Sequence, residues 1–545
     1  MKVRTTVLLA ILGVLGTSAG AMAIPIQGSA AGAGASIRTD VVETTKEKRD
    51  RSHFVAGKTL TMDVRLGHGS LAESSAGETY LFAQVAGADG ATQAKAPPLN
   101  LALVIDRSGS MKGERIANAI AAAVGSVERM RDGDTVTVVT FDTQAQVVVP
   151  PTRVSQSNRA SIEGQIRGIR LGGDTCISCG LDEAMRQLEA ANVPASSVNR
   201  MLLLSDGATN HGIRDLGGLR GMAGRMRGKG FAISTVGVDV EFDEKVMAAI
   251  ASESNGKHYF VASASGLPQV FSQEFDSLLA SVAKDAEMTI ELAPGVEVAE
   301  VFDRSFRREG NKLVVPFGTF SGSQEKTVLV KLKVPTDKSG ERAVADVKLA
   351  YRDLAEQKDG WCDGNLAALV TDGATAQREL DPFVAARLER SRTAQTLTDA
   401  NRLFEAGKFD EAKRTLALQR QALKTKEQQA IGLAASGPFA KPANGRRSLD
   451  GDFEDQLGAV ARAEFVRMNA ARHEQAVEAE AVGALEIGAH GIADRQHALG
   501  VYAQHRTQLA QRAALVDPWG RRLDQPNVGA DDGQGRGKTL PHLHQ

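Results

Sequence analysis

The chain predicts a doubly wound α/β unit with a mostly parallel sheet, inserted in or flanked by a β-sandwich and followed by C-terminal helical segments. Three observations lead there. Two short apolar runs, Leu99–Ile105 and Met201–Leu204, each stop beside an acid and a cluster of small turn residues, as strands buried on both faces of a parallel sheet do. Helical faces alternate with further apolar strands between and after them. β-prone sequence lies on both sides of this unit, which favours one sandwich interrupted by an insertion, because domain termini usually lie close together. Two independent small sheets are the alternative.

A length of 545 residues implies several domains. Hydrophobic content of 42% with 24% charged residues is ordinary for globular proteins. Lys+Arg 65 against Asp+Glu 66 leaves no basic surplus to attract nucleic acid or an anionic membrane. Aromatic content of 4% leaves little for base stacking.

Residues 1–23 read as a secretory signal: Lys2 and Arg4 give a positive start, Val7–Leu15 an apolar core, and Ala21-Met22-Ala23 a cleavage site. That core is short for a bilayer span, and no later stretch is apolar enough for one. The expectation is an exported protein, periplasmic or extracellular, with no integral membrane segment after signal cleavage. Residues 24–55, rich in Ala, Gly and Ser and then charged, read as a flexible linker. Residues 56–96 are β-rich, with alternation over Thr59–Leu66 and a β-prone run at Thr79–Val85.

The central unit occupies residues 97–283. After the first apolar run, Ile116, Ile120, Ala123, Val124, Val127 and Met130 trace one helical face. Strands are expected at Thr135–Phe141, Met201–Leu204, Ala232–Val238 and His258–Val261, with an apolar edge at Val147–Val149. Helices are expected at Leu181–Ala191, Leu216–Gly228 and Glu244–Ser254, and a last one at Leu267–Ala283. Residues 284–355 turn β-rich again, through Met288–Leu292, Lys312–Pro316, Thr327–Val334 and Ala343–Tyr351. In 374–435, Asp381-Pro382 starts a helix and Gly407 separates it from a second. Phe404–Ala412 resembles the turn of a tetratricopeptide hairpin, but a single copy is better read as an amphipathic hairpin packed on the sandwich. Residues 436–451 read as a linker, 452–516 as an Ala-rich helical segment and 517–545 as a disordered tail.

The chemistry gathers at the strand ends. Asp106-Arg107-Ser108-Gly109-Ser110 follows the first run, Gly172-Gly173-Asp174-Thr175 opens a loop, and Ser205-Asp206-Gly207 ends the later run. In open α/β sheets ligands bind at the carboxyl ends of strands, and oxygen donors suit hard cations. Turn preference alone explains any one of these clusters, but not all of them in this order.

This ordered set, Asp-x-Ser-x-Ser with a later Thr and a later Asp, resembles the von Willebrand factor type A family of secreted bacterial type, over about Leu99–Ala283. The resemblance implies a Rossmann-like fold and a metal-ion-dependent adhesion site. It implies that Asp106, Ser108, Ser110, Thr175 and Asp206 hold a divalent cation directly or through water, Mg2+ before Mn2+ or Ca2+. Mg2+ favours a near-octahedral oxygen shell and keeps waters. Two carboxylates and three hydroxyls leave that shell incomplete, so a Glu or Asp of a protein partner can finish it.

Asp142, after the next strand, is a candidate to support the ion from behind or to cap a turn. His211 and Asp239 receive no role. Cys176 and Cys179, directly after Thr175, read as a disulfide stiffening that loop; a redox switch is the second reading, and zinc lacks a second ligand pair. Cys362 has no obvious partner. Motifs for catalysis are missing: there is no His-Glu-x-x-His and no Gly-x-Ser-x-Gly elbow. The expected function is therefore non-enzymatic capture of an acidic partner through the ion. A regulatory or assembly subunit of an envelope or ion-transport complex is the alternative, and a metal-dependent hydrolase ranks last.

Overall fold

The computed structural model describes residues 51–88, 97–238, 243–261, 264–302, 304–322, 324–437, 439, 449–461 and 463–464, with the backbone of 37–38. The signal-like segment, most of the 24–55 linker, Asp239, most of 452–516 and the 517–545 tail lie outside the described residues.

In chain order the first strands are β1 (Ile37–Arg38), β2 (His53–Gly57), β3 (Leu60–Leu66), β4 (Ser70–Ala72) and β5 (Glu78–Gly87). The α/β unit runs β6 (Leu99–Asp106), α1 (Glu114–Arg129), β7 (Thr135–Phe141), β8 (Ala145–Arg153), α2 (Arg159–Arg167), α3 (Ile177–Ala190), β9 (Val198–Ser205), α4 (Leu216–Gly228), β10 (Ala232–Val238), α5 (Glu244–Glu253), β11 (His258–Val261) and α6 (Leu267–Leu279). There follow β12 (Ser281–Leu292), β13 (Glu297–Phe302), β14 (Arg307–Glu309), β15 (Lys312–Ser321), β16 (Glu325–Lys333), β17 (Gly340–Asp353) and β18 (Lys358–Thr371), then α7 (Pro382–Glu405) and α8 (Phe409–Ser436).

The central sheet has the order β11-β10-β9-β6-β7-β8. All its pairs are parallel except β8, which runs antiparallel on the β7 edge. Every residue of β6 is buried because helices cover both faces. Leu101, Leu103 and Ile105 pack with α1 and α6 side chains such as Ala123, Val127 and Phe271, while Ala102 and Val104 pack with Leu181, Leu219 and Ile250 of α3, α4 and α5. From β6 the chain moves to β7 on one side and later returns to β9 on the other. The strand order therefore reverses between β6 and β9, and a crevice opens at their carboxyl ends.

Two further sheets share one core. One has the order β1-β18-β17-β12-β15-β14, with β4 on β18; the other is β13-β16-β5-β3-β2. β5, before the α/β unit, pairs antiparallel with β16, after it, from Glu78↔Lys333 to Ala86↔Glu325. Met62, Val64, Leu81 and Val330 of the second sheet meet Met288, Ile290, Val347 and Leu349 of the first.

α7 starts on Asp381, whose carboxylate accepts from the amides of Phe383 and Val384 at 2.9 and 3.2 Å. Val384 and Leu388 then pack on Phe82 and Leu329. Gly407, at φ 74°, makes the left-handed turn into α8 that a side chain would disfavour.

Several expected boundaries differ from the structure. The last α/β helix ends at Leu279, not Ala283, because Ser281 already begins β12. Its apolar Val282-Ala283 belongs to the sheet core. β2 starts at His53, inside the expected linker, and β18 extends the β region well past 355. Residues 449–461 are helical from within the expected 436–451 linker, and Phe453 and Val460 pack with Leu416 and Leu423 of α8. No helix among the described residues is long and apolar enough to cross a membrane.

Candidate metal centre

Asp106 is the last residue of β6, and it is fully buried. The Ile105↔Leu204 register sets Ser205 beside it, and the Ser205 hydroxyl donates to Asp106 Oδ2 at 2.6 Å. The Ser108 amide donates to Asp106 Oδ1 at 2.8 Å, which folds the following turn over the strand end. That turn brings Ser108 Oγ and Ser110 Oγ to 3.0 Å from one another. The Ser110 hydroxyl in turn donates to Oδ1 of Asp206, just past β9, at 2.7 Å. Asp206 is fully buried too.

Thr175 comes from a third turn. Its amide donates to Asn210 Oδ1 at 2.8 Å, and its carbonyl accepts from the amides of Asn210 and His211 at 3.0 and 3.1 Å, so it is tied to the loop after Asp206. A β-carbon on Gly207 would stand 3.5 Å from Ser110 Oγ and 3.8 Å from Thr175 Oγ1. Both hydroxyls therefore face the same point. Thr175 is 4% exposed, and its hydroxyl has no hydrogen-bond partner among the described residues.

Asp142 stands behind this group. It forms an ion pair with Arg107 at 2.9 Å and accepts from the Gln144 amide at 2.9 Å. Its carbonyl accepts from the Cys176 amide at 2.8 Å, which links the β7 turn to the Thr175 loop. Gly172 must be glycine here, since a β-carbon would overlap Asp142 Oδ2 at 1.8 Å. Cys176 and Cys179 are joined as a disulfide at the start of α3, and the Gly212 backbone lies against Cys176 Sγ. Cys362 is a buried free thiol in the sheet core, pushed up to about 12 by burial.

Two residues of this neighbourhood are silent in the sequence. Ser205 meets Asp106 only through strand register. Arg115, on the first turn of α1, donates from Nη1 to Asp206 Oδ2 at 2.9 Å and to the Ser110 carbonyl at 3.0 Å. No local pattern points to either contact.

The electrostatics follow from burial. Desolvation pushes the Asp106 carboxyl up from 3.8 to about 6, with the Asp206 charge adding to it, against hydrogen bonds from Ser205 and Ser108. Among the described residues no Lys or Arg reaches Asp106, and no three His, Cys, Asp or Glu side chains gather as a cluster. The donors here are two carboxylates and neutral hydroxyls. A hard divalent cation fits that set, since it would discharge the buried acids and use the Thr175 hydroxyl that lacks a partner. Soft-metal chemistry does not fit, because the donors are all oxygen.

A family model for the von Willebrand factor type A domain matches residues 100–273. The chain is 28% identical over 269 residues to the uncharacterized protein sll0103 of Synechocystis sp., a match covering 47% of this chain and 62% of that one. It is 31% identical over 200 residues to the uncharacterized protein YfbK of Escherichia coli, covering 36% and 34%. The chain thus spans less than two-thirds of the length of these curated relatives. A solved structure, the von Willebrand factor type A protein from Catenulispora acidiphila, superposes with a TM-score of 0.59 at 17% identity, over 73% of this chain and 95% of that one. The sheet order, the helices on both faces and the family match agree: residues 100–273 form a von Willebrand factor type A domain.

Proposed function

We propose that the chain is an exported, non-enzymatic binding protein that captures an acidic side chain of a protein partner at a divalent cation, most simply Mg2+. Asp106, Ser108, Ser110, Thr175 and Asp206 would hold the ion. The observation that carries this reading is the meeting of oxygens from three turns, hydroxyls from two of them and two fully buried carboxylates, at the point where strand order reverses. Von Willebrand factor type A domains typically mediate protein–protein interaction, and among the relatives is human inter-alpha-trypsin inhibitor heavy chain H1, 26% identical over 167 residues.

When bound, the ion supplies a Lewis-acidic position for a partner's carboxylate. The chain's own residues do the rest. Ser205 and the Ser108 amide orient Asp106, Ser110 orients Asp206, and Asn210 fixes the Thr175 turn. Asp142 joins two of the loops from behind. We read the two outer sheets as one sandwich whose strands, from both sides of the insertion, form a fixed base for the α/β unit.

Calorimetry of the chelator-stripped protein with Mg2+ tests the site, and a crosslinking pulldown from an envelope extract, with Mg2+ and with chelator, tests capture. Ion uptake and chelator-sensitive capture are expected; capture indifferent to chelator would overturn the reading. A second reading, an assembly or regulatory subunit, rests on α7 docked on the outer sheet face with α8 packed against α7. It predicts that removing residues 374–545 abolishes partner binding while Mg2+ uptake persists.

A further inference from the structure

Arg115 occupies a position that local rules disfavour. It is the second residue of α1, where the helix dipole repels a cation. A conflict between local preference and structure marks a place where a tertiary contact decides. Here that contact is with Asp206: one guanidinium nitrogen bridges Asp206 Oδ2 and the Ser110 carbonyl. The Asp206 carboxylate is completely buried, while the Arg115 side chain is 24% exposed. The acid is thus held in place and the guanidinium has a path to solvent. Asp206 has both oxygens engaged, Oδ1 by Ser110 and Oδ2 by Arg115.

We propose that Arg115 is a resident counter-cation of the metal centre, which neutralises Asp206 in the ion-free protein and competes with the divalent ion for it. The proposal rests on the function reading above, because it needs an ion to compete with. Its physical basis is like-charge repulsion: a guanidinium bonded to a ligand carboxylate raises the cost of bringing a second cation to the same oxygens. Arg115 therefore lowers ion affinity and, in exchange, keeps the site folded when empty.

The test uses the full chain, stripped with chelator and titrated with Mg2+ alone, as wild type, R115Q and R115M, with R115K as a charge-preserving control. R115Q and R115M are expected to bind Mg2+ at least about tenfold more tightly than wild type, and R115K within about threefold of it. Thermal melts supply the second readout. In chelator R115Q is expected to melt several degrees below wild type, and in saturating Mg2+ that gap is expected to close. Wild type taking up Mg2+ while the neutral variants bind no more tightly would overturn the proposal. So would an equal loss of melting temperature with and without Mg2+, which marks a purely structural arginine. R115K tightening as much as R115Q would overturn it as well, because bulk and not charge would then be the cause. Wild type taking up no Mg2+ is a different result: it overturns the function reading, and this inference with it. R115M, which keeps the apolar stem, decides the matter if R115Q does not fold.

Discussion

The α/β unit buries acid at both ends of its sheet, and Glu274 at one end and Asp106 at the other are compensated in opposite ways. Near the amino-terminal ends of β9, β10 and β11, Glu274 of α6 accepts from Ser234 Oγ and Tyr259 Oη, both at 2.6 Å. It also faces Lys257 at 3.4 Å and Arg200 at 3.7 Å. Burial alone would raise this carboxyl, but Arg200, Lys257 and the two hydroxyls together outweigh it and hold it at about 2. At the carboxyl ends, Asp106 has only hydroxyl and amide partners and is driven upward. A buried acid surrounded by fixed cations is a structural knot. A buried acid surrounded by hydroxyls is still short of positive charge, and that shortage is what a binding site offers.

The sharpest way to break this contrast is to remove one acid from each end. Asp106→Ala is expected to weaken Mg2+ uptake by more than about a hundredfold, read by calorimetry, without destabilising the chelated protein. Glu274→Gln is expected to leave Mg2+ uptake unchanged and to cost about 3 kcal/mol of stability, read by denaturant melts, because Arg200 is left buried without its counter-charge. Similar effects from both substitutions would erase the distinction.

The pH dependence should differ in sign. Glu274 titrates ordinarily at 4.5 and is held at about 2. Its contribution is complete above 4.5 and is lost as pH falls toward 2, about 3 kcal/mol in all. Asp106 is raised from 3.8 to about 6. In chelated protein its contribution is present below 3.8 and is lost as pH rises through 6, again by about 3 kcal/mol. Stability series for wild type against E274Q and D106N isolate the two, and slopes of one sign would refute the assignment.

The smallest expected effect sharpens the comparison further. Thr175→Ala removes a hydroxyl that no described residue uses, so stability should move by less than about 0.5 kcal/mol. Mg2+ affinity should nevertheless fall about tenfold. A stability loss without an affinity loss would make Thr175 a loop residue only.

Much of this was legible before folding. Asp106 and Asp206 stand where apolar strands stop, and Ser108, Ser110 and Thr175 stand in turns that small and polar residues mark. The helix start at Asp381-Pro382 is local chemistry and is found as expected. Less visible were elements with weak periodicity: α2 buries only Ile162 and Ile166, and β12 begins where the apolar pattern of α6 continues without a break. Arg115, Ser205 and Glu274 gave no signal, since each acts on a residue at least 40 positions away, as with Ser234 and Glu274.

What the sequence determined by itself was the set of donors, the alternation of strand and helix, and the likeness to the von Willebrand factor type A family, all properties of residues near one another in the chain. Tertiary structure decided which oxygens converge, which cation stands on Asp206, and which buried acid is already neutralised. Those outcomes depend on strand register and on helix packing across the sheet, where a shift of one residue turns a side chain to the opposite face.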